Sequence, residues 1–434
     1  MSQKPKEKLR LTLQKVLRFF ARIVLRKYKP LVVGITGSVG KTSAKEAVYA
    51  VLKDRFRVRR NIKNYNNEIG IPLTILGIEF HRSVLKWLLN LIKILGLIVL
   101  PLRYPKKLIL EVGVDHPGDI KYLADFIDFK IGVITEVSAV HLEFFDDIKK
   151  LVKEKGTLFK VLPSEGLAIL NRDSRFYEAL SAMSKAPVFT FGFDERADVH
   201  LDGPVKMRKM EREIKKGQVP SLVFKVNYKR TTVPIRLPGA VGEHQVYAAL
   251  AAIAVGLNLG MNLVEISESL KNYTPPPGRM KLLSGIKDSL IIDDTYNSSP
   301  KAALAALRTL GKIEGKRKIA VLGDMLELGP YTEKGHRQVG KKVSEVADIL
   351  ITVGPMAELI LDEAIKRGFS KHSVFCFTES SETGRFLQNF VREGDLVLVK
   401  GSQKVRMEQI VKEIMAEPER AKELLCRQDE LWLK

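Results

Sequence analysis

Short runs of β-branched and aliphatic residues recur along this chain, each followed by a stretch with helical spacing. Leu31–Ile35, Leu108–Val112, Ile131–Thr135 and Leu167–Leu170 form one set. Ile291–Asp293, Ile319–Leu322, Ile349–Val353 and Leu396–Val399 form another. Apolar strands alternating with helices predict α/β layers built on mostly parallel sheets. Residues 186–238 read differently: Val188–Phe191, Leu222–Val226 and Thr231–Leu237 are short runs among charged loops, which predicts a small antiparallel patch. Thr274-Pro275-Pro276-Pro277-Gly278 is the strongest punctuation, so the main domain boundary is expected just after it, near residue 284. The pattern divides the chain into an N-terminal helix over 1–30, a central domain over 31–284 and a C-terminal domain over 285–434.

Two segments break the pattern. In the first, Leu9, Leu13, Val16, Leu17, Phe20, Ile23 and Val24 recur at helical spacing, with Lys15, Arg18, Arg22, Arg26 and Lys27 between them. Such a basic amphipathic helix suits an anionic membrane surface, or docks on its own protein. The second, Val84–Arg103, is nearly all apolar, interrupted by Lys86, Asn90, Lys93, Gly96 and Pro101. Its run of about 20 residues has the length of a span. Pro72–Leu76 and Leu108–Gly113, on either side of it, read as parts of one domain, so a hairpin or interfacial helix is expected in place of a crossing. A buried helix or a dimer interface is the other reading of this segment.

Composition narrows the classes. The chain has 434 residues, 45% of them hydrophobic and 28% charged, enough for two or three packed domains. The formal net charge is +22, and residues 1–30 hold ten Lys/Arg against one Glu. No aromatic-interleaved module accompanies the basic charge, so nucleic acid is not an expected partner. Two cysteines, Cys376 and Cys426, make neither a disulfide framework nor a zinc site and fit a reducing cytoplasm. No secretory signal is visible. The expected location is the cytoplasm, peripheral to the inner face of the membrane through 1–30 and 84–103.

Candidate chemistry starts at Leu31–Ser43, LVVGITGSVGKTS. An apolar strand leads into Gly37, Gly40, Lys41 and Thr42, and a helical stretch follows. Backbone N–H groups and a helix N-terminus cradle a phosphate chain, the lysine reaches its outer phosphates and the threonine hydroxyl holds Mg²⁺. The general pattern puts a first glycine where Ile35 stands; Gly34 is one residue early.

Ten blocks then appear in order: TGSVGKTS (36–43), NYNNEIGIPLTIL (64–76), EVGVDHPGDI (111–120), ITEVSAVHLEFF (134–145), KGTLF (155–159), GEHQVYAALAA (242–252), PPPGRMK (275–281), DDTYNSSPKAALAAL (293–307), LGDMLELG (322–329) and VLVKGSQKVRME (397–408). Together they resemble the Mur ligase family, most closely its branch that attaches D-alanyl-D-alanine to a muramoyl tripeptide. The resemblance implies a central P-loop ATPase-like domain followed by a C-terminal Rossmann-like α/β domain that closes over the nucleotide. It also implies an ATP-dependent, ADP-forming amide ligase of peptidoglycan precursor synthesis. A substrate carboxylate takes the γ-phosphate as an acyl phosphate, and an amine then displaces phosphate. Metals and cations must offset the charge of an anion meeting a polyanion.

Carried over residue by residue, the resemblance assigns the nucleotide loop to Gly37, Ser38, Gly40, Lys41, Thr42 and Ser43. It makes Thr42, Glu111, His141 and Lys155 the binders of Mg²⁺, with two ions expected. Lys41, His141 and Lys155 are the catalytic groups, with Lys155 carrying a CO₂-derived carbamate. His244, Gln245, Arg279, Asp294, Tyr296 and Asn297 flank the nucleotide. Asn66 and Asn67 place the cell-wall peptide precursor, and Lys400 and Ser402 the incoming amino acid or dipeptide.

The chain also departs from the family. Gln245 and Ala248 stand where two asparagines are usual, Thr157 where a glutamate is usual, and Ser299 where an asparagine is usual. About 30 residues precede the first strand, too few to fold the domain that normally binds the UDP end. Either the UDP-linked substrate is held without that domain, or the acceptor is lipid-linked. A membrane-associated nucleotide-binding scaffold without turnover is the third reading.

Overall fold

The computed structural model describes residues 3–428 other than 63–64, 82, 115, 139–146 and 208–219, together with 432. Two compact units result. Met1–Pro204, Phe224–Ile235 and His244–Tyr273 make the first; Val205–Val223, Arg236–Glu243 and Thr274–Lys434 make the second.

A nine-stranded sheet is built from β1 (Leu31–Thr36), β2 (Val58–Arg60), β3 (Lys107–Glu111), β4 (Phe129–Ile134), β5 (Leu167–Asn171), β6 (Val188–Gly192), β7 (Val199–Met207), β8 (Ser221–Tyr228) and β9 (Thr231–Pro238). Its order is β2-β3-β1-β4-β5-β6-β7-β8-β9. Pairing from β2 through β7 is parallel. Val188–Phe191, grouped by its pattern with the antiparallel patch, therefore belongs to the parallel part. A crossover through a short helix lays it beside β5, a relation that local alternation does not encode. The antiparallel element is the hairpin of β8 and β9. Its two-residue turn puts Lys229 and Arg230 at φ 48° and 67°, the pair of positive angles a tight right-twisting hairpin needs.

The first unit's helices used below are α1 (Gln3–Tyr28), α2 (Lys41–Leu52), α3 (Gly70–Leu76), α4 (Val84–Val99), α5 (Asp119–Ala124) and α6 (Ile148–Lys160). Gly34 lies mid-strand in β1 because a Cβ there would press on the Phe129 ring and Leu158. Asp147 caps α6 by accepting from Lys149 N at 3.2 Å, a cap worth about 1 kcal/mol.

α1 packs on the unit's own core. Leu17, Ala21, Val24 and Leu25 are buried with α3 and β3 residues. Arg18 lies 4.5 Å over the Tyr122 ring, and Tyr28 stacks on Tyr104 at 4.6 Å. Part of the predicted stripe thus docks on the protein, the second of the two readings of residues 1–30: Leu17 and Val24 are buried, Leu13, Phe20 and Ile23 half-buried, and Val16 stays exposed. The outward side of α1 carries Lys15, Arg22 and Arg26.

Val84–Arg103 is a single helix followed by an extended return, not a hairpin. Asn90, Ile94 and Leu97 are its buried positions, and Asn90 Nδ2 donates to Glu79 O at 2.9 Å. Lys27 Nζ donates to the carbonyls of Leu97, Ile98 and Leu100, and the Tyr28 hydroxyl to Leu97 O and Leu100 O. These α1 side chains satisfy the carbonyls that a helix end leaves open. Among the described residues, no helix is long and apolar enough to cross a membrane.

In the second unit, β10 (Lys281–Ser284), β11 (Leu290–Asp294), β12 (Lys318–Gly323), β13 (Ile349–Val353), β14 (Val374–Phe377) and β15 (Leu396–Lys400) form a sheet of order β10-β11-β15-β12-β13-β14. All pairs are parallel except β10 with β11. Leu396 and Leu398 enter the core on one face, Val397 and Val399 the core on the other, as the two-residue strand period requires of a sheet covered on both sides. Because β10 pairs within this sheet, the second unit takes up the chain from Thr274, ahead of residue 284.

Candidate active site

In the first unit, β1 lies between β3 and β4, where successive crossovers leave in opposite directions. The carboxyl edge of a parallel sheet at such a point forms a crevice for ligands. Register brings Ile35 opposite Glu111 and Thr36 opposite Ile134, so three strand ends meet there.

The loop after β1 turns on Gly37 and Gly40, with φ 147° and 85°. It is stapled to the segment after β4. Ser38 N donates to Glu136 O, Ser38 Oγ to Ser138 O at 3.0 Å, and Thr135 Oγ1 to Val39 O at 2.7 Å. α2 begins on Gly40 with no side-chain cap, so its first N–H groups face the loop's concavity. A Cβ on Gly37 would run into Thr135 Oγ1. Gly37→Ala is expected to lower stability by about 1–3 kcal/mol and raise the ATP KM about tenfold or more. A thermal melt and an ATP titration of turnover check both.

Two ammonium groups converge on one carbonyl oxygen: Lys41 Nζ lies 2.8 Å and Lys155 Nζ 3.1 Å from Gly37 O. Lys155 is only 2% exposed, held in the first unit by α6. Two cations on one loop, beside open helical N–H groups, attract an anion.

Glu111 ends β3 and is buried. Its Oε1 accepts from Thr42 Oγ1 at 3.1 Å and from Asn66 Nδ2 at 3.4 Å. Its Oε2 lies 3.7 Å from Lys45 Nζ. Asn61 grips its backbone from both sides, accepting from Glu111 N at 2.9 Å and donating to Glu111 O at 3.0 Å. A carboxylate and a hydroxyl are hard oxygen donors of the kind Mg²⁺ takes, with phosphate and water completing its shell. Among the described residues no cluster of three His, Cys, Asp or Glu forms. His141 lies outside the described residues.

The other predicted positions in this unit are placed as follows. Asn67 Oδ1 accepts from Gly70 N at 2.9 Å and fastens the start of α3. Ser43 is buried in the first turn of α2. His244 and Gln245 start the helix Glu243–Asn258. Gln245 is fully buried, and its Oε1 accepts from the Tyr273 hydroxyl at 2.6 Å. The longer amide at this departure serves a core contact.

In the second unit, Asp294 pairs with Lys400, 2.7 Å apart, and Lys400 Nζ also donates to Asn297 O at 2.9 Å. Met280 N donates to Asp294 Oδ1 at 3.2 Å, and Arg279 lies 4.0 Å over the Tyr296 ring. Ser402 Oγ accepts from Leu326 N at 2.8 Å. Lys400 and Ser402 are both buried and turned to partners of their own unit, so neither presents its polar end outward.

The adjacent Asp293 points inward. It accepts from Gly278 N at 2.8 Å and from Thr295 Oγ1 at 2.6 Å, and burial pushes its carboxyl above the usual range. Burial, then the charge of Asp293, pushes the Cys426 thiol up to about 12. Arg427 donates to Thr295 O and to Tyr296 O and pairs with Glu408, fixing the loop after β11.

The sequence reading missed Lys45, Asn61, Asp293 and Arg427. Lys45 alone carried a faint signal, one helical turn after Lys41. At the carboxyl edge of the second sheet, a crevice of about 390 Å³ is lined by Asp324, Leu326, Gly354, Ser380, Lys404 and Arg406. Burial raises the Asp324 carboxyl despite the Ala357 N–H that it accepts.

Comparison with known proteins agrees with this layout. The Mur ligase middle domain matches residues 35–83 and 91–256, and the Mur ligase glutamate ligase domain matches 278–403. The UDP-N-acetylmuramoyl-tripeptide–D-alanyl-D-alanine ligase of Bacillus subtilis is 28% identical over 405 residues, covering 93% of this chain and 79% of the relative. The ligase of that name from Synechocystis is 30% identical over 389 residues, covering 89% and 75%. Among solved structures, the MurF ligase of Thermotoga maritima in complex with ADP superposes with a TM-score of 0.75 at 26% identity, covering 94% of this chain and 84% of that one.

Proposed function

The chain belongs to the Mur ligase family, and on that premise we propose that it joins D-alanyl-D-alanine to a UDP-N-acetylmuramoyl tripeptide at the expense of ATP. The observation that carries the proposal is the Thr42–Glu111 oxygen pair beside a glycine loop on which two lysines converge. The substrate carboxylate oxygen attacks the γ-phosphorus, and ADP leaves. The amine nitrogen then attacks the acyl carbon; phosphate departs and the nitrogen loses a proton.

The residues then take the following parts. The N–H groups from Gly37 to Ser43 cradle the phosphates, and Lys41 offsets their charge. Thr42 and Glu111 would hold Mg²⁺, with Lys45 facing the carboxylate and Asn61 fixing the Glu111 backbone; the bound ion would supply charge neutralisation. Lys155, as a carbamate, would add a second anionic ligand and would turn repulsion between two neighbouring cations into attraction. By the family resemblance, His141 would be a further ligand of the second ion. His244 is the group for the base, while Gln245 supports that helix from the core through Tyr273; in the second unit Arg279, Asp294, Tyr296 and Asn297 are the nucleotide-binding group, with Lys400 orienting Asp294. Asn66 orients Glu111 toward the peptide acceptor. The dipeptide takes the crevice of the second sheet, with its ammonium toward Asp324 and its carboxylate toward Lys404. The enzyme works in the cytoplasm.

The test supplies the full chain with ATP, Mg²⁺, a UDP-N-acetylmuramoyl tripeptide and D-alanyl-D-alanine. Phosphate release should require both substrates, and the product mass should equal their sum less one water. Release with other acceptors only would overturn the substrate assignment; no release with any pair would leave nucleotide binding without turnover.

A further inference from the structure

We propose that α4 docks the protein on an anionic lipid bilayer, lying parallel to the surface with its outer face in the interfacial layer. Val84, Leu88, Leu89, Ile92, Leu95 and Val99 are exposed, Val84 by 85% and Val99 by 74%. At 100° per residue they share one broad face of the helix, and no charged residue interrupts it. Soluble surfaces scatter apolar residues singly; a continuous apolar face marks a binding surface.

Three features select lipid as the occupant. The first is length: sixteen residues make a rod of about 24 Å, short of the roughly 20-residue span, so the helix lies on a membrane and does not cross it. The second is charge. No Asp or Glu occurs between Glu79 and Glu111, while Lys86, Lys93 and Arg103 are exposed along the helix and the return that follows it. Lipid phosphates complement these cations. A second copy of the chain would bring the same cations face to face in a molecule of net charge +22. The third is the border. Trp87, half-buried, donates its indole N–H to His81 O at 2.7 Å and meets Phe80 edge-on at 5.9 Å, an aromatic pair suited to the depth of headgroups. The helix is held for this role: Lys27 and Tyr28 fix its carboxyl end, and Ile94 and Leu97 seat its inner face. Residues 84–90 also fall in the gap between the two stretches matched to the family's middle domain.

The test is flotation of the full chain with phosphatidylglycerol-containing vesicles and with phosphatidylcholine vesicles. The comparison is a Leu88→Gln, Ile92→Gln, Leu95→Gln variant. All three positions are exposed, so the melt should be unchanged. Wild-type protein should float with anionic vesicles, the variant on the order of tenfold less, and neutral vesicles should capture less protein. Trp87 emission should shift to the blue on binding. ATP turnover of the variant should equal wild type, which separates this result from the ligase reading. Negligible flotation of wild type, equal flotation of the variant, or a wild-type dimer that ignores vesicles and that the variant dissolves would each overturn the proposal.

Discussion

Lys41→Ala is expected to cut ATP-dependent phosphate release about a thousandfold or more. Lys41 Nζ rests on Gly37 O at the rim of the loop, where a nucleotide's outer phosphates come closest to the chain. At about 4 Å and an effective dielectric near 20, one unit charge is worth about 4 kcal/mol. Because the charge on the phosphates shifts as the bond to phosphorus breaks, much of that interaction is differential, and about 1.4 kcal/mol is a factor of ten. The lysine is only half-buried, so its loss should move stability by no more than about 0.5 kcal/mol. Single-turnover phosphate release beside a thermal melt reads both quantities. A folded variant that keeps a tenth of wild-type turnover would move the nucleotide site elsewhere.

Lys155→Ala is the second large effect, with an expected loss of about 100- to 1000-fold in kcat. The side chain is buried and touches the nucleotide loop directly through Gly37 O, so its replacement acts on the site itself. Its chemical form can be read by rescue. A small carboxylate such as formate should restore part of the activity if the native group is a carbamate, whereas methylammonium should do so if it is an ammonium. Carboxylate rescue is the expected result. Thr157, two residues on, spends its hydroxyl on Lys153 O at 3.1 Å, one turn back along its own helix. The departure there leaves the face that carries Lys155 intact.

The sheet-and-helix layout and the loop were legible because both are local. Apolar runs set β1 and β3, and Gly37, Gly40 and Lys41 signal their chemistry by type and spacing. Glu111 entered through the family resemblance, and the structure sets it at the buried end of β3. What holds Glu111 was not legible: Asn61 and Lys45 reach it from other elements, and an Asn or a Lys has the same letter whether it faces water or a buried carboxylate. The basic helix stayed open between two readings because periodicity reports that a face is apolar without saying what covers it; the core takes Leu17, Ala21, Val24 and Leu25 and leaves Val16 exposed. Lys400 followed the opposite course: an apparent loop cation proved to be the buried counter-ion of Asp294.

The stapled loop bears on how the molecule reaches its working form. Thr36 Oγ1 bonds to a carbonyl 76 positions away, Thr135 Oγ1 to one 99 away, and Ser38 Oγ to one 100 away. Closing such separations costs chain entropy before any contact repays it, and topologies of this kind assemble slowly. The glycine turn cannot hold its shape as an isolated strand–loop–helix piece, since its fixing partners arrive only with β4. Nucleotide affinity is therefore a late acquisition during refolding, gained when the central strands register. Bound nucleotide, in turn, serves as a reporter that the whole sheet has closed.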